Sequence, residues 1–195
     1  RLADNEDYFA AQIGNSILGG SGLTSRLARR VRTEEGLAYG VASVWTTPRR
    51  SGGIIAATTQ TKSESTVEAI HLIAETFGEI ASEPPDDGEV RDAVDRIVNG
   101  FIFNFQTPAL LVSRQMLYLS QNLPLDWLPR FLEGVQGVTP GGVHQVFRRN
   151  LAPNGLDDMV IVIVGDPARF DPGLEDLGPV RFLDEDAAAS RRCRH

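Results

Sequence analysis

Residues 15–41 read NSILGGSGLTSRLARRVRTEEGLAYGV, and the fold turns on this stretch. Upstream of it, Tyr8, Phe9, Gln12, Ile13, Ser16 and Ile17 make a mostly apolar stripe at helical spacing, which predicts a helix from about Asn5 to Leu18. Gly19-Gly20-Ser21-Gly22 breaks that helix. Leu23 to Glu35 reads as a second, basic helix with Leu27 and Val31 inward and Arg26, Arg29, Arg30 and Arg32 around them. Gly36 stands where a left-handed C-terminal cap belongs. Beyond it, Tyr39, Val41, Ser43 and Trp45 alternate with Ala38, Gly40, Ala42 and Val44, the pattern of one strand with two faces.

Pro48 to Gly52 supply a turn and Gly53 to Thr61 a returning strand, so a hairpin is predicted. Ser65-x-x-Glu68 reads as a capping box for a helix to about Ser82, with Val67, Ile70, Ala74, Phe77 and Ala81 as its buried stripe. Glu83 to Asp87 break the chain, and Asp86 with Glu89 opens the next helix, whose stripe is Val90, Val94, Ile97, Val98, Phe101 and Phe105. Thr107-Pro108 and Thr139-Pro140 each place a cap before a proline and start further helices. A short helix over Trp127 to Val135 lies between them. Met159 to Val164 is the longest apolar run and is predicted to be a central strand covered by helices. Val180 to Leu183 reads as a last short strand. This order of elements predicts an α+β fold: a two-layer sandwich of a mostly antiparallel sheet with helices packed on it. One domain is expected over residues 1–183, followed by a charged tail over residues 184–195.

Composition narrows the function. The chain has 195 residues, 42% hydrophobic and 23% charged, which is enough to bury a core and ordinary for a globular domain. Its apolar runs fall far short of the roughly 20 residues that span a bilayer. A net charge of −7 argues against nucleic-acid binding, which needs a clustered positive field. Cys193 is the single cysteine, so no intrachain disulfide forms, as in cytoplasmic proteins and many periplasmic ones.

Metal chemistry is testable from the residue list. An inverted zinc-peptidase motif, His-x-x-Glu-His, puts two imidazoles and a general base on one helical face. The three histidines are His71, His144 and His195, and none stands in such a motif. His71 and His144 fit boundary positions on helices, with the ring packed and its tip hydrogen-bonded. There is no Gly-x-Ser-x-Gly elbow for a nucleophile, and the Gly19 to Gly22 loop follows a helix and lacks the Gly-Lys-Ser/Thr ending of a phosphate loop. What remains is Arg32, on the last turn of its helix, and Tyr39, seven residues later across the Gly36 reversal. Folded so, a guanidinium and a phenol can face one cleft. As donors they suit a peptide carbonyl and the oxyanion formed when a metal-activated water attacks it. Their bland reading is a helix-terminal arginine favoured by the dipole and an ordinary strand tyrosine.

Leu18-Gly19-Gly20, Ser25-Arg26-Leu27, Val31-Arg32 and Gly36-Leu37-Ala38-Tyr39 together resemble the signature of the C-terminal-type domain of insulinase (pitrilysin) metallopeptidases. Looser likeness follows at Thr61-Lys62, Leu123-Pro124-Leu125, Val138-Thr139-Pro140 and Val162 to Asp166. The resemblance implies a domain like those of mitochondrial processing peptidase, which closes with a zinc-motif domain around an extended peptide. It assigns catalytic support to Arg32 and Tyr39 and substrate contact to Gly19, Gly20, Ser21 and Gly22. Zinc is then the cofactor of a partner domain, in the same chain or another, and a dimer or heterodimer is expected. Such domains begin with a strand before the first helix, so the sequence reads as a piece lacking that strand. Two readings follow: half of a zinc endopeptidase, inactive alone, or a non-catalytic structural relative of the same family.

Overall fold

A computed structural model describes residues 7–46, 53–151, 159–170 and 173–183. Helix α1 (Asp7–Asn15) passes without a break into a π-helical turn, Ser16–Gly20. After a tight 3-10 turn at Gly22–Thr24, the basic segment is also wound as a π-helix over Ala28–Glu34. Both predicted helices of the opening stretch therefore exist, but each ends wider than an α-helix. Such winding is rare, and it rotates the residues beyond it relative to an α-helical register. Gly36 has φ +66, the left-handed conformation that a Cβ disfavours, and it reverses the chain into the first strand.

Strand β1 (Ala38–Trp45) pairs antiparallel with β2 (Ile55–Thr61) from Trp45↔Ile55 to Ala38↔Thr61, as the alternation predicts. The turn between them, Pro48 to Gly52, lies outside the described residues. Helix α2 (Thr66–Ser82) follows, then α3 (Asp87–Phe101), α4 (Pro108–Ser120), α5 (Trp127–Gln136) and α6 (Pro140–Asn150). Three of the predicted starts are made as read. Asp86 accepts from the Glu89 backbone N–H while the Glu89 carboxylate accepts from the Asp86 N–H, a complete capping box. Thr107 and Thr139 accept from the backbone N–H groups of Leu110 and Gly142. The Ser65–Glu68 box is not made: a 3-10 turn at Ser63–Ser65 precedes α2, and the Ser65 side chain makes no capping bond.

The helices cover one side of the hairpin. α1 and its π turn lie across β1, α6 packs against α1 and α2, and α5 closes on α1 and α3. Ile13, Leu18, Leu27, Val31, Ile80, Val143 and Phe147 are fully buried between these layers. At one end an aromatic cluster fills the gap, with Phe101 stacked on Phe131 at 4.8 Å and Phe9 on Trp127 at 6.1 Å. The fold class is α+β, an antiparallel hairpin with helices packed on it.

The last part of the chain corrects the sequence reading. Met159 to Val164 is not a strand of the sheet, which among the described residues has two strands. Met159 packs on the core and Ile161 and Ile163 are half-buried, but Val160, Val162 and Val164 face solvent, Val164 at 95%. A continuous apolar run gives no face preference, so composition alone suggested burial on both sides where only one side is covered. Val180 to Leu183 also forms no strand, and residues 184–195 lie outside the described residues.

Candidate functional site

The Arg-rich segment 26–32 is anchored by its own charges. Arg26 donates from Nε and a terminal nitrogen to the two carboxylate oxygens of Glu89, at 2.7 and 2.6 Å. This fork joins the segment to the N-terminus of α3, where Glu89 already serves the capping box. The Arg26 hydrogen bonds hold the Glu89 carboxyl below the ordinary carboxylate range, against the opposing effect of burial, and Glu89 in turn raises Arg26. Arg30 reaches Glu79 and Glu75 on α2 at 2.9 and 3.1 Å, and Arg29 lies 3.7 Å from Glu34.

Arg32 differs. Among the described residues no carboxylate faces it, and its guanidinium carbon lies 5.0 Å from the centre of the Tyr39 ring. Three local features bring the two together. Hydrogen bonds from Glu35 N–H to Arg30 O and from Leu37 N–H to Val31 O, at 3.2 and 2.9 Å, close the wide turn. Gly36 then reverses the chain, and Thr61 on β2 donates its hydroxyl to Leu37 O. Finally, the pairing of β1 slips between Ala38 and Gly40. Simple alternation places Tyr39 on the face of Val41 and Ser43, which are buried. The bulge turns it out instead, leaving it 86% exposed over Arg32. Sequence alone paired Arg32 with Tyr39 through the turn; the bulge that exposes the phenol has no local signal.

The glycine loop divides into two parts. Gly19 is buried, and a Cβ there would fall 2.4 Å from the Ser43 backbone nitrogen, so this glycine lets the π turn approach β1. Ser43 secures the contact by donating its hydroxyl to the Asn15 side-chain oxygen at 2.8 Å. Gly19 therefore serves packing and offers no surface to a substrate, which corrects its assignment to substrate contact. Gly20 and Gly22 are exposed with Ser21 half-buried between them, and Gly22 has φ +65.

Zinc does not fit this chain's residues. Among the described residues no three His, Cys, Asp or Glu side chains gather as a metal site. His71 lies on α2 and His144 on α6, where the His144 Nε2 is 3.0 Å from Ala81 O, the boundary arrangement expected for it. Also among the described residues, no helix is long and apolar enough to cross a membrane.

Residues 2–97 match the peptidase M16 inactive-domain family, which is the insulinase and pitrilysin family of the motif resemblance. The chain carries a peptidase M16 inactive domain. Among solved structures, the M16 inactive domain from Pseudomonas fluorescens is 31% identical with a TM-score of 0.69, over 77% of this chain and 35% of that one. An inactive peptidase domain from Bordetella parapertussis, of a protein described as a zinc protease, shares the fold. It has a TM-score of 0.65 at 15% identity, over 78% of this chain and 82% of that one. A protease from Helicobacter pylori has a TM-score of 0.62 at 16% identity, over 75% of this chain and 35% of that one. The chain spans about a third of the length of the Pseudomonas and Helicobacter structures. A search of curated proteins returns no significant match. The M16 match ends before α4, so the motif segment and the hairpin lie inside it and the last three helices outside.

Proposed function

We propose that this M16 inactive domain is the substrate-clamping half of a zinc endopeptidase, with Arg32 and Tyr39 as its contribution to the reaction. One observation carries the reading. Arg26, Arg29 and Arg30 are each paired with glutamate, whereas Arg32 is left without a carboxylate and set over an exposed phenol. An unneutralised guanidinium beside a phenol on a solvent-facing turn costs little there. It supplies N–H and O–H donors for the carbonyls of an extended peptide and for the negative charge that grows on one of them during hydrolysis.

The stack keeps both donors directed outward, since the ring restrains the guanidinium plane without using its N–H groups. The exposed part of the loop, Gly20 to Gly22, offers backbone for a second contact with the peptide. The zinc belongs to a partner domain of the same family, in the same chain or another. The folded unit extends over residues 1–183, with residues 184–195 as a charged tail.

The test is reconstitution. This chain and the zinc-motif domain are assayed separately and together on a quenched fluorescent extended peptide, with zinc content measured by atomic emission. The proposal expects zinc to follow the partner, and cleavage to need both. Full cleavage by the zinc-motif domain alone, or a stable complex that never hydrolyses peptide, contradicts it, and the second result favours the non-catalytic relative.

A further inference from the structure

Helix α4 is apolar on two sides. Leu110, Leu117 and the buried Tyr118 face the rest of the molecule, where α4 packs chiefly on the turn Ile102–Phe105. Val112, Met116 and Leu119 form a second stripe at i, i+4 and i+7 on the opposite face, 59%, 65% and 61% exposed. A helix apolar on both sides is normally buried on both. Arg114, half-buried, is the one charged residue of α4. Ile102 and Phe103, also exposed, extend the apolar surface beyond the helix.

We infer that this face of α4 joins two copies of the chain across a two-fold axis. The exposed apolar side chains from Ile102 to Leu119 offer on the order of 900 Å², against about 800 Å² per partner in a standard interface and 300–600 Å² for the largest patch of a typical monomer. The stripe is nearly symmetric about Met116, with Val112 four residues before it and Leu119 three after. An antiparallel two-fold crossing therefore sets Met116 against its own copy and Val112 against the copy's Leu119. Ala109, Ser113 and Ser120 border the stripe on one side, and small residues let two helices approach closely. An uncharged stripe is also what a self-contact needs, because two copies that each carry −7 repel elsewhere. The inference is independent of the peptidase reading, since α4 carries none of the residues of the Arg32–Tyr39 site.

Sedimentation equilibrium of the full chain, with and without Met116→Asp, tests it. The wild type is expected to dimerise at micromolar concentration, more tightly as salt screens the net charge. Met116→Asp enters the interface twice and is expected to weaken the dimer by about 100-fold, with an unchanged circular dichroism spectrum. A second variant, Met116→Cys with Cys193→Ser, is expected to give a disulfide dimer on mild oxidation. Gln60→Cys in the same background, on exposed β2, is expected not to. A wild type that stays monomeric, a dimer indifferent to Met116→Asp, or equal cross-linking at positions 60 and 116 overturns the inference. So does a Met116→Asp variant whose single defect is loss of binding to a zinc-motif domain, which hands the stripe to that partner.

Discussion

Replacing Glu89 by glutamine probes the joint that fixes the Arg-rich segment to α3. The Glu89 carboxylate accepts two charge-assisted hydrogen bonds from Arg26, at 2.7 and 2.6 Å, and one from the Asp86 N–H at 3.1 Å. Glutamine keeps an acceptor for the cap and one for Arg26. It loses the charge and one arm of the fork, and leaves a mostly buried guanidinium half-satisfied. Hydrogen bonds to charged groups are each worth about 1.5–3 kcal/mol, so after partial compensation the expected loss is about 2 kcal/mol of unfolding free energy. The pH dependence has a definite sign. Glu89 titrates below its ordinary 4.5, chiefly through Arg26, so its contribution is complete above that value and fades as pH falls through the lower folded value. Urea unfolding followed by circular dichroism at pH 7 should show the full gap between wild type and Glu89→Gln, and the gap should shrink in acid below about pH 4. A gap under about 0.5 kcal/mol at pH 7, or one that persists unchanged in acid, refutes the ion pair as the anchor of this segment.

Three further substitutions test local geometry. Gly19→Ala drives a methyl into the Ser43 backbone and should cost about 3 kcal/mol, read as a lower urea midpoint with an unchanged slope. Gly36→Ala forces a Cβ into φ +66 and should cost about 1–2 kcal/mol in the same assay. Thr139→Ala removes the cap of α6 and should lower stability by about 1 kcal/mol, with faster amide exchange in the first turn of α6.

Much of this architecture is legible in the sequence because its determinants are local. The Asp86–Glu89 box, the two Thr-Pro starts and Gly36 each act within four residues, and the structure forms all of them as read. The pairing of Arg32 with Tyr39 was readable for the same reason, through one turn. Other features depend on partners far along the chain. Arg26 finds Glu89 across 63 residues, and Gly19 is required by Ser43 on the strand beneath it. The exposure of Tyr39 depends on a bulge set by pairing with Thr61, which strand alternation cannot show. Met159 to Val164 misled because uniform hydrophobicity carries no information about which face is covered. Ser65 misled differently: a capping sequence was present, but a 3-10 turn entered the helix first.

The most direct test is the cleavage rate of the complete peptidase carrying Arg32→Ala or Tyr39→Phe in this half. Each variant should lower kcat/KM for an extended peptide by about 100-fold, the scale of a lost transition-state donor. Zinc content and the unfolding midpoint should not move. Unchanged cleavage in both variants contradicts the assignment of this pair to the reaction.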